Sequence, residues 1–331
     1  MSRIEKICAT ASDALELRLA VVEELRHTVG FDAYAWLLTD PETSVGSAPL
    51  ADVPAPLLAD LPRLIRLKYL SAHNRWTTLD DPAALATHDD AGGWRDLLVE
   101  HGITDVASSV YRDRFGCWGF LDLWRSGAPF SPTDLDLLAG LAPTLTEALR
   151  RCQANTFVAR SDGDDRRLGP VVLLLSSELA VLGQTPETFR YLRVLVPPSE
   201  GQAPIPASAY NVAAQLLAVE TGVDHNRPVA RVHLSGGRWM TLRAARIDDA
   251  TIAVSIEETT PPERLAIFAR AFALTERETE LLSELVTGAD THELARRLFL
   301  SEHTVQDHLK SIFAKTGTNS RRTLLSRALG T

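Results

Sequence analysis

Along the first half of the chain, the spacing of apolar residues matches that of helices in some segments and that of strands in others. A period near 3.6 residues predicts a helix from about Asp13 to Val29, and alternating residues predict strands over 31–40 and 103–126. The predicted apolar stripe of this helix consists of Leu15, Leu19, Val22 and Leu25. A second helix is predicted from Ser131, because a proline follows it and suits the first helical position. Residues 1–153 are therefore predicted to form one α+β domain.

A polar stretch without periodicity, residues 154–169, is predicted to be a linker. Beyond it, residues 170–260 contain five predicted strands and two predicted helices. One helix would begin at Thr185 and the other would end at Gly222, because glycine readily adopts the left-handed conformation after a helix. The proline pair at 261–262 then breaks the pattern. This middle segment is predicted to be a second α+β domain.

Three consecutive helix starts follow in residues 264–331, and each carries its own N-terminal cap. The first two have the spacing of a capping box, in which two side chains bond each other's backbone N–H groups. The caps are Thr275 with Glu278, Asp290 with Glu293, and Ser301. Only a tight turn fits between the second and third helices, so they must cross steeply. That arrangement predicts a helix-turn-helix within an all-α domain.

The third of these helices has one apolar face and one polar face. Gln306 can form two hydrogen bonds with adenine in the major groove, and Asp307 can accept from cytosine N4. Lys310 lies one turn further on and can reach a guanine or a phosphate. Free N–H groups near Ser301 would favour a phosphate. The alternative interpretation is a polar helix face that is only solvated.

The distribution of charge restricts where nucleic acid could bind. A net charge of −9 disfavours non-specific binding to DNA or to acidic membranes, because the summed field repels a polyanion. Residues 289–331 reverse the balance, with seven Lys and Arg against four Asp and Glu. DNA binding is therefore predicted to be local to this segment. Since the sequence has neither a run of 18 apolar residues nor an apolar signal segment, we expect a cytoplasmic protein that makes no membrane contact.

Signatures of catalysis and of metal binding are missing from the sequence. The three cysteines are far apart and form no C-x-x-C, so neither a disulfide framework nor a zinc cluster is predicted. His292 begins like the zinc motif H-E-x-x-H, but Arg296 stands at its fifth position. Neither a P-loop nor a G-x-S-x-G motif occurs. We therefore expect no enzyme activity, no catalytic residues and no metal ligands, and the sequence identifies no cofactor.

Five of the six tryptophans lie in the first predicted domain. Trp36, Trp76 and Trp118 are candidates to line a ligand pocket, because large aromatic side chains often form the walls of such pockets. The same side chains could instead fill a hydrophobic core. Composition leaves both interpretations open.

The last segment contains LTERETELL, GADTHELARRLFLSEHTVQDHLKSIFAKTG and NSRRTLL, over residues 274–329. Its L-T-x-R-E, L-S-x-x-T-V-x-x-H and K-x-G-x-x-S-R elements resemble the LuxR-type helix-turn-helix domain of bacterial transcription regulators. The resemblance implies that the third helix is the recognition helix. Gln306 stands where the family often has a lysine, and the negative charge of Asp307 disfavours a phosphate. We therefore expect weaker affinity for phosphates than is usual in the family, and a larger share of the binding from contacts with base edges. The residues expected to contact DNA are Ser301, His303, Thr304, Gln306, Asp307, Lys310, Lys315 and Arg321.

The two front segments resemble sensor domains. The first is similar to a GAF domain in its leading helix, its strand YRDRFGCWGFLDLWR and its closing helix FSPTDLDLLAGLAPTLTEALRR. The second resembles a PAS-like domain in its strand order and its GGRW hairpin. Both families commonly hold a small molecule between the sheet and its helices. We expect a homodimeric transcription regulator on an inverted-repeat DNA operator, because one recognition helix reads only a few base pairs. Its front domains would bind a small-molecule effector or mediate dimerisation. The alternative is a cytoplasmic GAF/PAS scaffold or sensor that acts mainly through protein–protein contacts.

Overall fold

The computed structural model describes residues 2–87, 92–158, 171–188, 207–234 and 238–330. Two domains built on five-stranded antiparallel sheets are followed by a helical domain. The elements of the first domain are α1 (Arg3–Thr10), α2 (Ala14–Thr28), β1 (Ala33–Thr39), β2 (Gly46–Asp52), α3 (Ala55–Ala59), α4 (Leu61–Leu70), β3 (Ala83–Ala84), α5 (Gly92–Glu100), β4 (Asp105–Asp113), β5 (Gly116–Arg125) and α6 (Pro132–Asn155).

The first sheet has the order β2-β1-β5-β4-β3, so that β5 pairs with both β1 and β4. Helices α1, α2 and α6 pack on one face, where Trp36 and Leu121 of the sheet meet Leu25 and Leu149 of the helices. Helices α4 and α5 cover the opposite face, against Trp124. Both faces are buried because apolar residues occupy both sides of the central strands.

Helix α2 was predicted correctly, and Val22 and Leu25 of its predicted apolar stripe are buried, but the other half of the stripe is not. Leu15 and Leu19, both assigned to the apolar stripe, are 50% and 48% exposed. Arg18 is buried in their place, and it donates hydrogen bonds to the carbonyls of Trp36 (3.1 Å) and Ala48 (2.8 Å). A buried guanidinium is tolerated where its N–H groups find acceptors, and here the strands β1 and β2 supply them.

The second domain repeats the strand order of the first, as β7-β6-β10-β9-β8. Its elements are β6 (Val171–Ser176), β7 (Val181–Gln184), α7 (Ala207–Glu220), β8 (Val229–His233), β9 (Trp239–Arg246) and β10 (Thr251–Glu258). Most of the predicted linker, most of the predicted helix after Thr185 and the turn at 235–237 lie outside the described residues. The predicted helix end is confirmed, because Gly222 adopts a positive φ of 74° shortly after α7.

Helix α7 is buried almost all the way round, and its sequence is mainly apolar with Ser208, Asn211 and Gln215 also buried. It packs on β9 and β10 of its own sheet and on α4 and β2 of the first domain. One hydrophobic cluster therefore contains Tyr69 and Phe120 of the first domain together with Val212 and Leu242 of the second. The two front domains share a core.

Buried ion pairs also join the front domains. Arg75 donates to Asp224 through Nε at 2.9 Å, and Arg231 donates to both carboxylate oxygens of Asp40 at 2.6 and 2.7 Å. Burial alone would raise the pKa of Asp40, but the hydrogen bonds and the charge of Arg231 lower it below its ordinary value. The relative position of the two domains is therefore fixed by paired charges as well as by packing.

The helical domain contains α8 (Pro261–Ala271), α9 (Glu276–Val286), α10 (Thr291–Arg297), α11 (Glu302–Thr316) and α12 (Arg321–Leu329). The proline pair at 261–262 was expected to be a breaker, but it opens α8, because proline fits the first turn of a helix. Helix α8 packs on α12 and on α6. Phe157 stacks on Trp239 and meets Phe268 edge to face, so aromatic contacts link all three domains.

Candidate nucleic-acid interface and ligand cavity

Helices α10 and α11 form the predicted helix-turn-helix, and the predicted caps are confirmed. Reciprocal capping boxes begin α9 and α10, and the Ser301 side chain accepts from the Thr304 N–H at the start of α11. Between α10 and α11, Phe299 has a φ of 54° and is 94% exposed. This left-handed residue ends α10 and allows the chain to turn sharply into α11.

Helix α11 presents the polar face that the sequence predicts. Val305, Leu309 and Ile312 are buried against the other helices of the domain. The side chains on the opposite face are exposed, namely Ser301, His303, Gln306, Asp307 and Lys310. Thr304 is half-buried, and its hydroxyl lies 2.9 Å from Ser301 Oγ. The apolar face holds α11 in place and leaves the polar face open.

Gln306 and Arg321 meet at the first residue of α10. Gln306 Nε2 donates to Thr291 Oγ1 at 3.3 Å, and Arg321 Nη2 donates to the same oxygen at 2.6 Å. These bonds bring the N-terminal ends of α10 and α12 beside α11. The Asp290 and Glu293 carboxylates occupy the start of α10, whereas the first turn of α12 has no acidic residue and carries the Arg321 guanidinium, so the start of α12 is the end suited to phosphate.

The charges on α11 are paired locally. Lys310 Nζ lies 3.2 Å from Asp307 Oδ1, and His303 lies 3.4 Å from the other carboxylate oxygen. The hydrogen bond from Lys310, with the nearby imidazole of His303, lowers the pKa of Asp307. Exposed pairs of this kind contribute little to stability, so a negatively charged partner can draw Lys310 away at small cost.

Lys315 occupies a different environment from Lys310. Its Nζ lies 2.6 Å from Glu278 Oε2 and 3.1 Å from the carbonyl of Ala273. Burial opposes ionisation of Glu278, but hydrogen bonds from Lys315, Ser311 and the Thr275 N–H outweigh it and lower its pKa to about 2. Lys315 therefore ties α11 to the start of α9, in addition to any contact with DNA.

A cavity of about 240 Å³ lies on the other face of the first sheet, beneath α4 and α5. Its walls are mainly apolar, with Ala35, Leu37, Ile65, Tyr69, Trp94, Phe120 and Trp124 among them. Lys68 and Asp122 also line it, and α7 of the second domain closes one side with Ala207 and Asn211. Burial lowers the pKa of Lys68, although the charge of Asp122 opposes that effect.

The three tryptophans predicted to line a pocket lie elsewhere. Trp36 and Trp118 are buried on the face covered by α2 and α6, and Trp76 stacks on Phe120 at 4.3 Å between ring centroids. None of the three is among the residues that line the 240 Å³ cavity. Asn211 was not predicted as a lining residue, although it is one of three buried polar side chains, with Ser208 and Gln215, in the mainly apolar α7.

Other candidate chemistry finds no support in the described residues. Cys8, Cys117 and Cys152 are buried, free thiols, and burial raises the pKa of each. Within the described ranges, no three His, Cys, Asp or Glu side chains are grouped so as to hold a metal ion. Among the same residues, no helix has both the length and the apolar character needed to cross a membrane.

The helical domain can be assigned to a class. Residues 273–328 match the family model described as "Bacterial regulatory proteins, luxR family". This segment is a LuxR-type helix-turn-helix, DNA-binding domain, which confirms the resemblance drawn from its motifs.

Particular relatives share this segment. The CsgBAC operon transcriptional regulatory protein of Escherichia coli strain K12 is 46% identical over 55 residues, which cover 17% of this chain and 26% of that protein. The probable csgAB operon transcriptional regulatory protein of Salmonella typhimurium matches to the same extent. The spore germination protein GerE of Bacillus subtilis is 42% identical over 48 residues, 14% of this chain and 65% of that protein. The chain thus spans about a quarter of the length of the first two relatives.

Solved structures resemble the whole chain only loosely. Escherichia coli SdiA aligns with 98% of this chain and 94% of its own, at 13% identity and a TM-score of 0.36. Vibrio cholerae VqmA aligns with 50% of this chain and 83% of its own, at 19% identity and a TM-score of 0.20. Scores this low carry no inference about the front domains.

Proposed function

We propose that the protein is a transcriptional regulator that binds double-stranded DNA sequence-specifically through α11. The observation that carries this proposal is the division of α11 into a buried apolar face and an open polar face within a LuxR-type domain. Gln306 would read adenine, Asp307 cytosine and Lys310 a guanine or a phosphate. Ser301, His303, Thr304 and Arg321 would contact the backbone. Lys315 would add positive charge while it holds α9.

Binding would be confined to this domain. The chain as a whole carries a net charge of −9, which opposes any broad contact with a polyanion. Contacts from the start of α12 and Arg321 to the DNA backbone would orient the protein, and base contacts would supply the selectivity.

We also propose that two copies bind an inverted repeat. One recognition helix reads only a few base pairs, so two half-sites about one helical turn apart are needed for useful affinity. Leu15 and Leu19 on α2 are half-exposed and offer an apolar surface for a second copy. Light scattering should show a dimer free or on DNA, and a monomer in both states would contradict this proposal. Leu19→Lys should weaken the dimer, whereas Leu182→Lys, at an equally exposed leucine on β7, should not.

The front domains would be GAF-like and PAS-like sensors of a small molecule rather than enzymes. A scaffold that works mainly through protein–protein contacts is the alternative, and the mainly apolar cavity under α4 and α5 favours a sensor. An enzyme would need a reactive group in that cavity. The titratable groups that line it include Lys68 and Asp122, which are bonded to each other.

Selection from a library of random duplexes tests the DNA-binding proposal. The full-length protein should enrich one motif, arranged as an inverted repeat, and should bind it about a thousandfold more tightly than a shuffled duplex. Gln306→Ala should change the enriched sequence at one base pair of each half-site. Gln184→Ala, at an exposed glutamine far from α11, should enrich the unaltered motif. Failure of the wild type to enrich any motif would refute sequence-specific binding.

A further inference from the structure

Three side chains that line the 240 Å³ cavity have polar atoms without a partner. These atoms are Asn211 Oδ1, Trp94 Nε1 and Trp124 Nε1, and no hydrogen bond reaches them from the described residues. The side chains are deeply buried, with exposures of 1%, 2% and 2%. An unpaired buried polar atom destabilises a fold, and native structures contain few of them. Three of these atoms belong to side chains around one cavity, where a bound molecule with matching groups would complete their hydrogen bonding.

The orientation of Asn211 is set by the first domain. Its Nδ2 donates to the Gly46 carbonyl at 3.0 Å, so the amide oxygen is the atom left without a partner. That oxygen can only accept, whereas an indole N–H can only donate. A complementary molecule must therefore carry both a donor and an acceptor.

The charged groups in the cavity are already satisfied by protein atoms. Lys68 Nζ lies 2.9 Å from Asp122 Oδ2, donates to the Asn74 carbonyl at 3.0 Å and lies 4.0 Å from the centroid of the Trp94 ring. Asp122 also accepts from Ser108 Oγ at 2.6 Å. Because the pair is internally neutral, a ligand ion would be buried without a counter-charge, which is strongly unfavourable. The cavity is suited to an uncharged molecule.

The size and composition of the cavity limit the ligand further. Drug-sized ligands occupy cavities of roughly 300 to 1,000 Å³, so a cavity of about 240 Å³ suits a molecule of roughly ten non-hydrogen atoms. Its walls are mainly aliphatic and aromatic. Most of the ligand surface must therefore be apolar.

We propose that this cavity binds a neutral, mainly apolar molecule with one hydrogen-bond donor and one acceptor, and that Asn211 accepts from its donor. Trp94 and Trp124 would donate to its acceptor. This inference rests on the proposed sensor function of the front domains. Asn211 belongs to the second domain, while most of the wall belongs to the first. Occupancy of the cavity therefore strengthens the contact between the domains, and this gives an effector a route to the rest of the chain.

Two series of small probes test the charge and the hydrogen-bonding groups of the ligand. One series contains 2-phenylacetamide, phenylacetate, 2-phenylethylamine and propylbenzene. The other contains the amide, the anion, the amine and the hydrocarbon with a seven-carbon chain, which are heptanamide, heptanoate, heptylamine and heptane. Binding to the full-length protein without DNA would be measured by saturation-transfer NMR and calorimetry. At least one amide should bind about tenfold more tightly than the anion, the amine and the hydrocarbon of its series. Equal or tighter binding of a charged member, or no binding of either amide at millimolar concentration, would overturn the proposal.

Variants then locate the contact at Asn211. Asn211→Leu should abolish the preference for the amide over the hydrocarbon, and Asn319→Leu, the same change on the helical domain, should preserve it. Retention of the preference in Asn211→Leu would overturn the role of this residue. If that variant does not fold, Trp124→Phe removes one indole donor and should reduce the same preference. Because these measurements contain no DNA, a failure here is distinguishable from a failure of DNA binding.

Discussion

Charged side chains occupy two contrasting environments in this protein. At the boundary between the front domains, Arg75 and Asp224 are buried, and Arg75 also donates to Thr77 and to Gln215. On α11, Asp307 and Lys310 pair with each other in full contact with solvent. Removing one member of a buried pair leaves a charge without compensation, whereas an exposed pair is replaced by water.

This contrast separates the residues that maintain the fold from those available to a partner. The charged groups of Arg75 and Asp224 at the domain boundary form their hydrogen bonds with other groups of this chain. The polar side chains of α11 retain capacity that DNA can use. Glu278 and Lys315 lie between these extremes, because a buried carboxylate anchors a partly exposed ammonium.

The largest effect is expected at the domain boundary. Asp224→Asn leaves the Arg75 guanidinium buried without its carboxylate, and we expect the free energy of unfolding to fall by about 3 to 5 kcal/mol. Urea unfolding followed by tryptophan fluorescence would measure this, since five of the six tryptophans lie in the first domain. Combining Arg75→Met with Asp224→Leu removes both charges and should recover part of the loss. A single variant as stable as the wild type would mean that the boundary charges behave like those of α11.

A smaller and pH-dependent effect is expected at Glu278. Its pKa of about 2 in the folded protein lies below its ordinary value of 4.5, so its stabilisation is fully present above about pH 4.5 and is lost as the pH falls towards 2. Glu278→Gln should therefore cost about 3 kcal/mol at pH 7 and almost nothing near pH 2. Thermal unfolding at several pH values would measure the difference. A cost that stayed constant with pH would show that the charge of Glu278 is not the source.

On the recognition helix we expect binding effects with little loss of stability. Gln306→Ala should cost about 1 to 3 kcal/mol in affinity at one base pair of the selected site, because it removes a base contact. Its free energy of unfolding should stay within about 0.5 kcal/mol of the wild type, since the side chain is exposed. Fluorescence anisotropy would measure the affinity of the variant for the selected duplex and for the shuffled duplex. An equal loss on both duplexes would exclude Gln306 as a base reader.

The smallest change in selectivity is expected at Lys310. If Lys310 contacts a phosphate, Lys310→Ala should weaken binding to every duplex and reduce the slope of log affinity against log salt by about 0.9. Lys6→Ala removes an exposed lysine of the first helix and should leave the slope unchanged. A variant of Lys310 with an unaltered slope, but with altered preference at one guanine, would place this side chain on a base instead.

The caps of the helical domain were predictable because their signals are local. A capping box is defined by residues three positions apart, so Thr275 with Glu278 and Asp290 with Glu293 mark helix starts without reference to the rest of the chain. The same holds for Gly317, whose φ of 60° ends α11. The helix-turn-helix could therefore be derived almost completely from its sequence.

The front domains were less predictable because long-range contacts determine their details. The carbonyls that accept from Arg18 lie on strands 18 and 30 residues away, so the periodicity of α2 alone could not indicate that this arginine is buried. The cavity is likewise formed by distant segments, with Asn211 approaching Gly46 only in the folded protein. Tryptophan content could not distinguish the side of the sheet that holds Trp36 from the side that holds Trp124 and the cavity.

The central claim, that α11 reads base edges in the major groove, can be tested on the DNA without altering the protein. Replacing each purine of the selected duplex by its 7-deaza analogue removes one acceptor that only the major groove presents. We expect affinity for the full-length protein to fall by about 1 to 3 kcal/mol at one or two purines in each half-site, and to be unchanged elsewhere. Full affinity for duplexes substituted at every purine position would contradict the claim, because the two hydrogen bonds assigned to Gln306 and an adenine require purine N7 in the major groove.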